Sequence, residues 1–170
     1  MRRVRVLAAL LAAVALSGCA GYRRGDVKPN YLKEIRSIAI PTFRNSTFIP
    51  RLEILTTNTV VKQFQQDGTF QITSEDKADA VLRATVTAVA RGPARSVRGN
   101  VLATTEFNLA LTVTYTLVGK DGQPLAGPVA VAGGTSFFVG SDVTTEERQA
   151  LPLAAEDLAV RLVSQLSEGW

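Results

Sequence analysis

The chain has 170 residues, with 19 basic and 15 acidic side chains, one cysteine and no histidine. Without histidine, neither a Ser–His–Asp nor a Cys–His catalytic group can be assembled, and a zinc site loses its commonest ligand. Three of the 19 basic residues, Arg2, Arg3 and Arg5, stand at the very start; the rest of the chain is near neutral, so a nucleic-acid partner loses its main electrostatic support.

Met1 to Arg5 is a positively charged opening, and Val6 to Leu16 is then wholly apolar, with no charge, glycine or proline. Crossing a bilayer takes about 20 apolar residues. The run is too short for that and has the length of a signal-peptide hydrophobic region. It ends in Leu16-Ser17-Gly18-Cys19, an apolar residue, two small ones and a cysteine, which matches the lipobox of bacterial lipoproteins. Small residues admit the chain to a peptidase, and the thiol is alkylated before cleavage. Residues 1–18 therefore read as a cleaved signal peptide. Cys19 becomes the new N-terminus, bearing a diacylglycerol and an N-acyl chain, and no other cofactor is expected. With Cys19 acylated, no thiol is left for a disulfide, a metal or a nucleophile. Residues 19–33 are polar, with Gly21, Gly25 and Pro29, and read as a lipidated tether. Residues 34–170 have the length of one domain.

Along that domain, Ile35 to Thr42 reads as a first strand that ends at Pro41, followed by a loop from Phe43 to Ile49. Residues 50–67 read as an amphipathic helix, with Pro50 at its first position, Leu52, Leu55, Val60 and Phe64 on one face, and Gly68 as its C-terminal cap. Phe70 to Thr73 is a short strand and Ala80 to Arg91 a long β-branched one. A loop with Gly92, Pro93 and Gly99 leads to Leu102–Val118, where Phe107, Leu109, Leu111, Val113 and Tyr115 hold a period of two. Lys120-Asp121-Gly122 is a hairpin turn, and Pro124 to Phe138 returns, weakened or bulged at Gly133-Gly134. Thr144 to Glu147 has capping-box spacing. It opens a helix with a short first turn or kink at Pro152 and a stripe of Leu153, Leu158, Leu162, Val163 and Leu166. The expected fold class is α+β, with two helices packed on one face of a mostly antiparallel four-stranded sheet.

These segments resemble, in order and spacing, the LptE family of lipopolysaccharide-assembly lipoproteins over nearly all of residues 19–170. The resemblance runs through Cys19-Ala-Gly-Tyr22, Ile38-Ala-Ile-Pro41-x-Phe43-x-Asn45-x-Thr47, Glu53-x-x-Thr56 and Lys77-Ala-Asp79-Ala-Val-Leu82. It continues through the Phe107–Val118 strand to a last helix with Ala155, Leu158 and Leu162. It implies a non-enzymatic lipoprotein of the outer membrane, anchored on the periplasmic face through its lipid. Its partners would be an LptD-like β-barrel, which it plugs and helps to assemble, and lipopolysaccharide on its way to the cell surface. Ala20 after the cysteine fits outer-membrane sorting.

Lipopolysaccharide carries clustered phosphates, the natural partners of guanidinium groups. Arg91, Arg95 and Arg98, in the loop expected between two long strands, are the candidate contacts. Arg98 stands where the resemblance places a basic residue. A second basic position, after Phe137-Phe138, has no counterpart: the stretch reads Asp142, Val143, Thr144, Thr145, Glu146. The alternative is an outer-membrane lipoprotein of the peptidoglycan-synthase-activator or curli-secretion type, which also carries a strand followed by Phe-x-Asn-x-Thr. Asn45-Ser46-Thr47 reads as a helix-entry turn rather than a glycosylation signal. One of Phe137 and Phe138 must point away from the core, and Glu146, Glu147, Glu156 and Asp157 read as helix-end and surface charges.

Overall fold

The computed structural model describes residues 28–97, 103–138, 140 and 142–169, with backbone only at 95–97 and 103–105. The signal peptide, Cys19, Arg98 and Trp170 lie outside the described residues. A single six-stranded sheet is built from β1 (Ser37–Ala39), β2 (Arg44–Asn45), β3 (Gln71–Ile72), β4 (Ala80–Val97), β5 (Ala103–Gly119) and β6 (Pro124–Phe138). Two helices join it: α1 (Leu52–Asp67) between β2 and β3, and α2 (Val143–Ser167) at the end.

The strand order is β3-β1-β4-β5-β6, with β2 also paired to β4. The α+β class and the two helices agree with the sequence reading, but the sheet is mixed and has six strands rather than four mostly antiparallel ones. Only β4–β5–β6 is antiparallel, whereas β1 lies parallel to both β3 and β4, and β2 parallel to β4. The cause is the crossover: α1 carries the chain across the sheet, so strands before and after it run the same way.

Element ends shift for identifiable reasons. The expected first strand shrinks to Ser37–Ala39, and the expected loop holds β2. α1 starts at Leu52, behind Arg51 with a left-handed φ of 64°, so Pro50 stands outside the helix; Gly68, at φ 75°, is the expected cap, its N–H bonded to the Phe64 carbonyl. β4 continues through Gly92-Pro93 instead of ending at Arg91. Proline is tolerated there because β2 pairs only as far as Val86, and among the described residues no strand pairs that side of β4 beyond it. α2 is capped by Asp142, which accepts from the Thr144 N–H, not by the expected Thr144–Glu147 box, and it continues unbroken through Pro152.

The even residues Leu82, Ala84 and Val86 of β4 share a face with Leu109, Leu111, Val113, Tyr115 and Leu117 of β5 and with Val131 and Phe137 of β6. Both helices cover this face and touch each other, α1 over β2, β3 and β4 and α2 over β5 and β6. Leu153, expected in the apolar stripe of α2, is exposed; Leu151 and the alanines 150, 154, 155 and 159 are buried instead. Small residues let α2 sit close to the sheet. The limit is Gly133, where a Cβ would fall 2.1 Å from the Leu158 nitrogen. The strand pairing runs unbroken through Gly133 and Gly134, and the β5–β6 register shifts lie further down, between Tyr115 and Val118. The glycine expected to bulge is a docking notch.

The opposite face carries Arg83, Thr85, Thr112, Thr114, Thr116, Ala130 and Ala132, with no helix over it among the described residues. The chain enters at Lys28, whose ammonium donates to the Ile35 carbonyl (3.2 Å) and lies 4.6 Å from the Phe70 ring centroid. A 3-10 turn, Asn30–Leu32, then places Leu32 fully inside the core. The last residues of the expected tether are therefore docked.

Candidate functional site: the Arg91 end of the sheet

An uninterrupted alternation from Leu82 would send residue 91 to the open face. A bulge between Val86 and Ala88 adds one residue, after which Val89 pairs with Leu111 and Arg91 with Leu109, on the helix side. The Arg91 guanidinium there lies 5.1 Å from the Phe107 ring centroid, and its Nη1 donates to Glu147 Oε2 of α2 at 2.6 Å. Phe107 packs in turn against Phe137, with ring centroids 5.8 Å apart. The Arg91 side chain keeps 42 % of its surface exposed and Glu147 22 %, so the pair sits at the rim of the core rather than within it. Its chemistry is that of a cation held over an aromatic ring, open to an anion on its outer side.

Of the three candidate arginines, only Arg91 has a described side chain. Arg95 pairs in register with Glu106, beyond a second shift after Pro93, and only its backbone is described; Arg98 lies outside the described residues. After Phe137-Phe138, where the resemblance would place a second cation, Asp142 caps α2. The Thr145 hydroxyl and the Thr144 N–H hold its carboxyl below the usual range. Phe137 is buried and Phe138 exposed, as the alternation requires.

The motifs that carried the resemblance turn out to be structural ties. Asn45 Oδ1 accepts from the Thr47 N–H (2.9 Å) and hydroxyl (2.7 Å), and its Nδ2 donates to the Ile49 carbonyl and to Glu53 Oε2, both at 2.8 Å. The Phe43 N–H donates to the Thr57 hydroxyl, which donates to the Glu53 carbonyl. The Asp79 carboxylate accepts from the Arg36 and Ser37 N–H groups and the Ser37 hydroxyl, fastening β1 to the start of β4. These bonds, the Ser37 hydroxyl foremost, lower the Asp79 pKa from 3.8 to about 2.

Two features escaped the sequence reading. Glu147 and Asp157, read as surface charges, are partners: Asp157 accepts from the Gly134 N–H (2.8 Å) and from Arg161 (2.9 Å), tying the edge strand to α2. Nothing in the sequence signals a pair 56 residues apart such as Arg91–Glu147. The second is the Ser46–Ile49 turn, whose Phe48 is fully exposed beside a cleft of about 290 Å³.

The family profile LptE, Lipopolysaccharide-assembly, matches residues 35–166. No curated protein matches the chain at the level of sequence. Several solved structures share its fold. A minor lipoprotein from Acinetobacter baumannii is 20 % identical, with a TM-score of 0.51, over 79 % of this chain and 93 % of that one. Lipoprotein B from Nitrosomonas europaea is 11 % identical, with a TM-score of 0.50, over 86 % of each chain. A PelC dodecamer subunit from Paraburkholderia phytofirmans is 15 % identical, also at 0.50, over 78 % and 89 %. At such identities the likeness is one of fold.

Proposed function

The chain belongs to the LptE family of lipopolysaccharide-assembly proteins, and we propose that it acts as an outer-membrane lipoprotein that plugs and helps to assemble an LptD-like β-barrel. In this reading Cys19 carries the lipid anchor on the periplasmic face, and Arg91, Arg95 and Arg98 meet lipopolysaccharide phosphates during transport. The observation that carries the reading is the family match, which spans the first strand to the last helix. The surface agrees with it. A barrel lumen is polar, and the helix-free face of the sheet offers threonine hydroxyls and small side chains rather than an oily patch.

The mechanism is binding rather than catalysis. Acyl chains on Cys19 contribute about 0.8 kcal/mol per buried methylene, and two or more chains hold a protein to a membrane stably. Arg91, held over Phe107 and tied to Glu147, presents its outer edge to an anion with little side-chain entropy left to lose. Co-purification of the lipidated chain tests the reading. A heat-modifiable barrel identified by mass is the expected companion, and depletion of the chain should lower both mature barrel and surface lipopolysaccharide. A self-assembled ring or a peptidoglycan synthase in place of the barrel would overturn it.

A further inference from the structure

We infer that the Ser46–Ile49 turn is a protein-docking element, with Phe48 as the anchor that enters an apolar pocket of the partner's wall. The inference rests on the plug reading above and says where the plug is gripped.

Phe48 has a relative exposure of 105 %, against 67 % for Phe138 and 55 % for Tyr31, the other exposed aromatics among the described residues. A lone exposed apolar side chain is ordinary. What sets Phe48 apart is the bracing of its turn. Thr47 is bound to Asn45 through both its N–H and its hydroxyl, and the Ile49 carbonyl accepts from Asn45 Nδ2. The Ile49 N–H bonds the Thr47 hydroxyl (3.3 Å), the Ser46 N–H bonds the Val86 carbonyl (2.9 Å), and Ile49 packs on the core. The residues on both sides of Phe48 are thus pinned while its ring stands in solvent. A turn so fixed loses little freedom on binding, which is what an anchor side chain needs.

Beside the ring lies the cleft of about 290 Å³, next to the bulge in β4 and lined by the Ser46–Ile49 turn, by Thr87, Ala88 and Val89, and by Glu147. Its mixed lining, apolar at Ile49, Ala88 and Val89 and polar at the hydroxyls and the one carboxylate, suits a partner side chain with an aliphatic or aromatic stem and a donor at its tip. An anchor and a receiving cleft side by side, lined by hydroxyls and by the Glu147 carboxylate that Arg91 pairs with, have the anatomy of a protein interface.

Position argues against the anchoring leaflet as occupant. The chain enters where Pro29 meets the end of α2, a Cβ at Gly169 falling 3.1 Å from the proline ring, and where Asp79 clamps β1. The turn sits beside Thr87–Val89. Nine residues of β4 separate Ala80 from Val89, and at strand rise that is about 30 Å. Phe48 thus stands about halfway along β4 from the end where the tether enters.

The test places a photoreactive amino acid at position 48 of the full lipidated chain in cells, with Thr114 on the open sheet face and Val160 on α2 as comparison positions. Position 48 should capture the barrel, identified by mass. F48A should reduce co-purified barrel about fivefold or more while leaving the melting temperature within about 2 °C, and F48L should restore much of the yield. Capture of the barrel from Thr114 or Val160 but not from 48 would overturn the docking element and leave the plug reading standing. Capture of lipid alone at 48 would likewise overturn it, and silence at all three positions would sink both.

Discussion

Arg91 and Glu147 meet at 2.6 Å across 56 residues of sequence, joining the middle of the longest strand to the second turn of the last helix. The cation proposed to receive a lipid phosphate already has an internal anion. A phosphate at Arg91 must therefore displace or share with Glu147, and the carboxylate would repel it. Replacing Glu147→Gln should tighten binding of lipopolysaccharide by about two- to fivefold, the scale of a partly exposed ion pair. Arg91→Glu should weaken it, with the difference fading at high salt. Equal affinity for wild type and both variants, measured by titration at low salt, would remove Arg91 from the contact.

Asp79 predicts a pH dependence of stability. Its carboxyl is lowered from 3.8 to about 2 by the Ser37 hydroxyl and the Arg36 and Ser37 N–H groups, with Lys120 adding to the effect. A depressed carboxylate contributes stability above its unfolded pKa and loses it as pH falls through the folded one. The contribution is thus full above about pH 5, declines from 3.8 downward and is gone below about 2. Because the group is a third exposed, solvent screening reduces its worth to about 1 kcal/mol. Asp79→Asn should cost that much at pH 7, with urea midpoints of the two proteins converging near pH 2. Parallel curves would show that the clamp is not electrostatic.

The notch at Gly133 gives a sharper loss. A methyl group there would fall 2.1 Å from the Leu158 nitrogen and 2.4 Å from its Cα, both backbone atoms that cannot swing aside. Gly133→Ala should cost about 1–3 kcal/mol or more by forcing α2 off β6. Gly92→Ala, with nothing within 4 Å of its Cβ position, is the matched control and should change little. Thermal melts of the two variants check the contrast.

How much of this was legible follows from which signals are local. The five-residue alternation from Phe107 to Tyr115 reports β5 directly because one face is buried and the other is not. β1 and β3 lie inside the two short strands expected at 35–42 and 70–73, but β2 sits in an expected loop, and strands of two or three residues carry no signal of the direction in which they pair, so the parallel half of the sheet was only partly legible. Thr56 and Thr57 are buried in α1 because their hydroxyls bond the Leu52 and Glu53 carbonyls, which polarity alone conceals. The face of Arg91 was unreadable for a different reason. One unpaired residue near Thr87 inverts the alternation from Ala88 to Pro93, and Thr-Ala-Val looks the same with or without a bulge. Gly133 could be flagged as unusual for a strand, but its cause lies in a helix 25 residues away in sequence.

Asn45 ties the family motif to the proposed docking turn, and its removal separates two roles that Phe48 alone cannot. Asn45→Ala deletes four side-chain hydrogen bonds, two to Thr47, one to the Ile49 carbonyl and one to Glu53. Each intramolecular bond is worth about 0.5–1.5 kcal/mol net. Since these are partly exposed and water can replace some of them, a total loss of about 1–2 kcal/mol is expected in chemical denaturation. The core beneath is untouched, because Phe43 is held separately by Thr57. Amide hydrogen exchange should then rise at Thr47 and Ile49 while β4 and β5 stay protected. Protection at Thr47 unchanged in the variant would mean that the Asn45 amide does not brace the turn, and Phe48 would lose its claim to be held out by design of the fold.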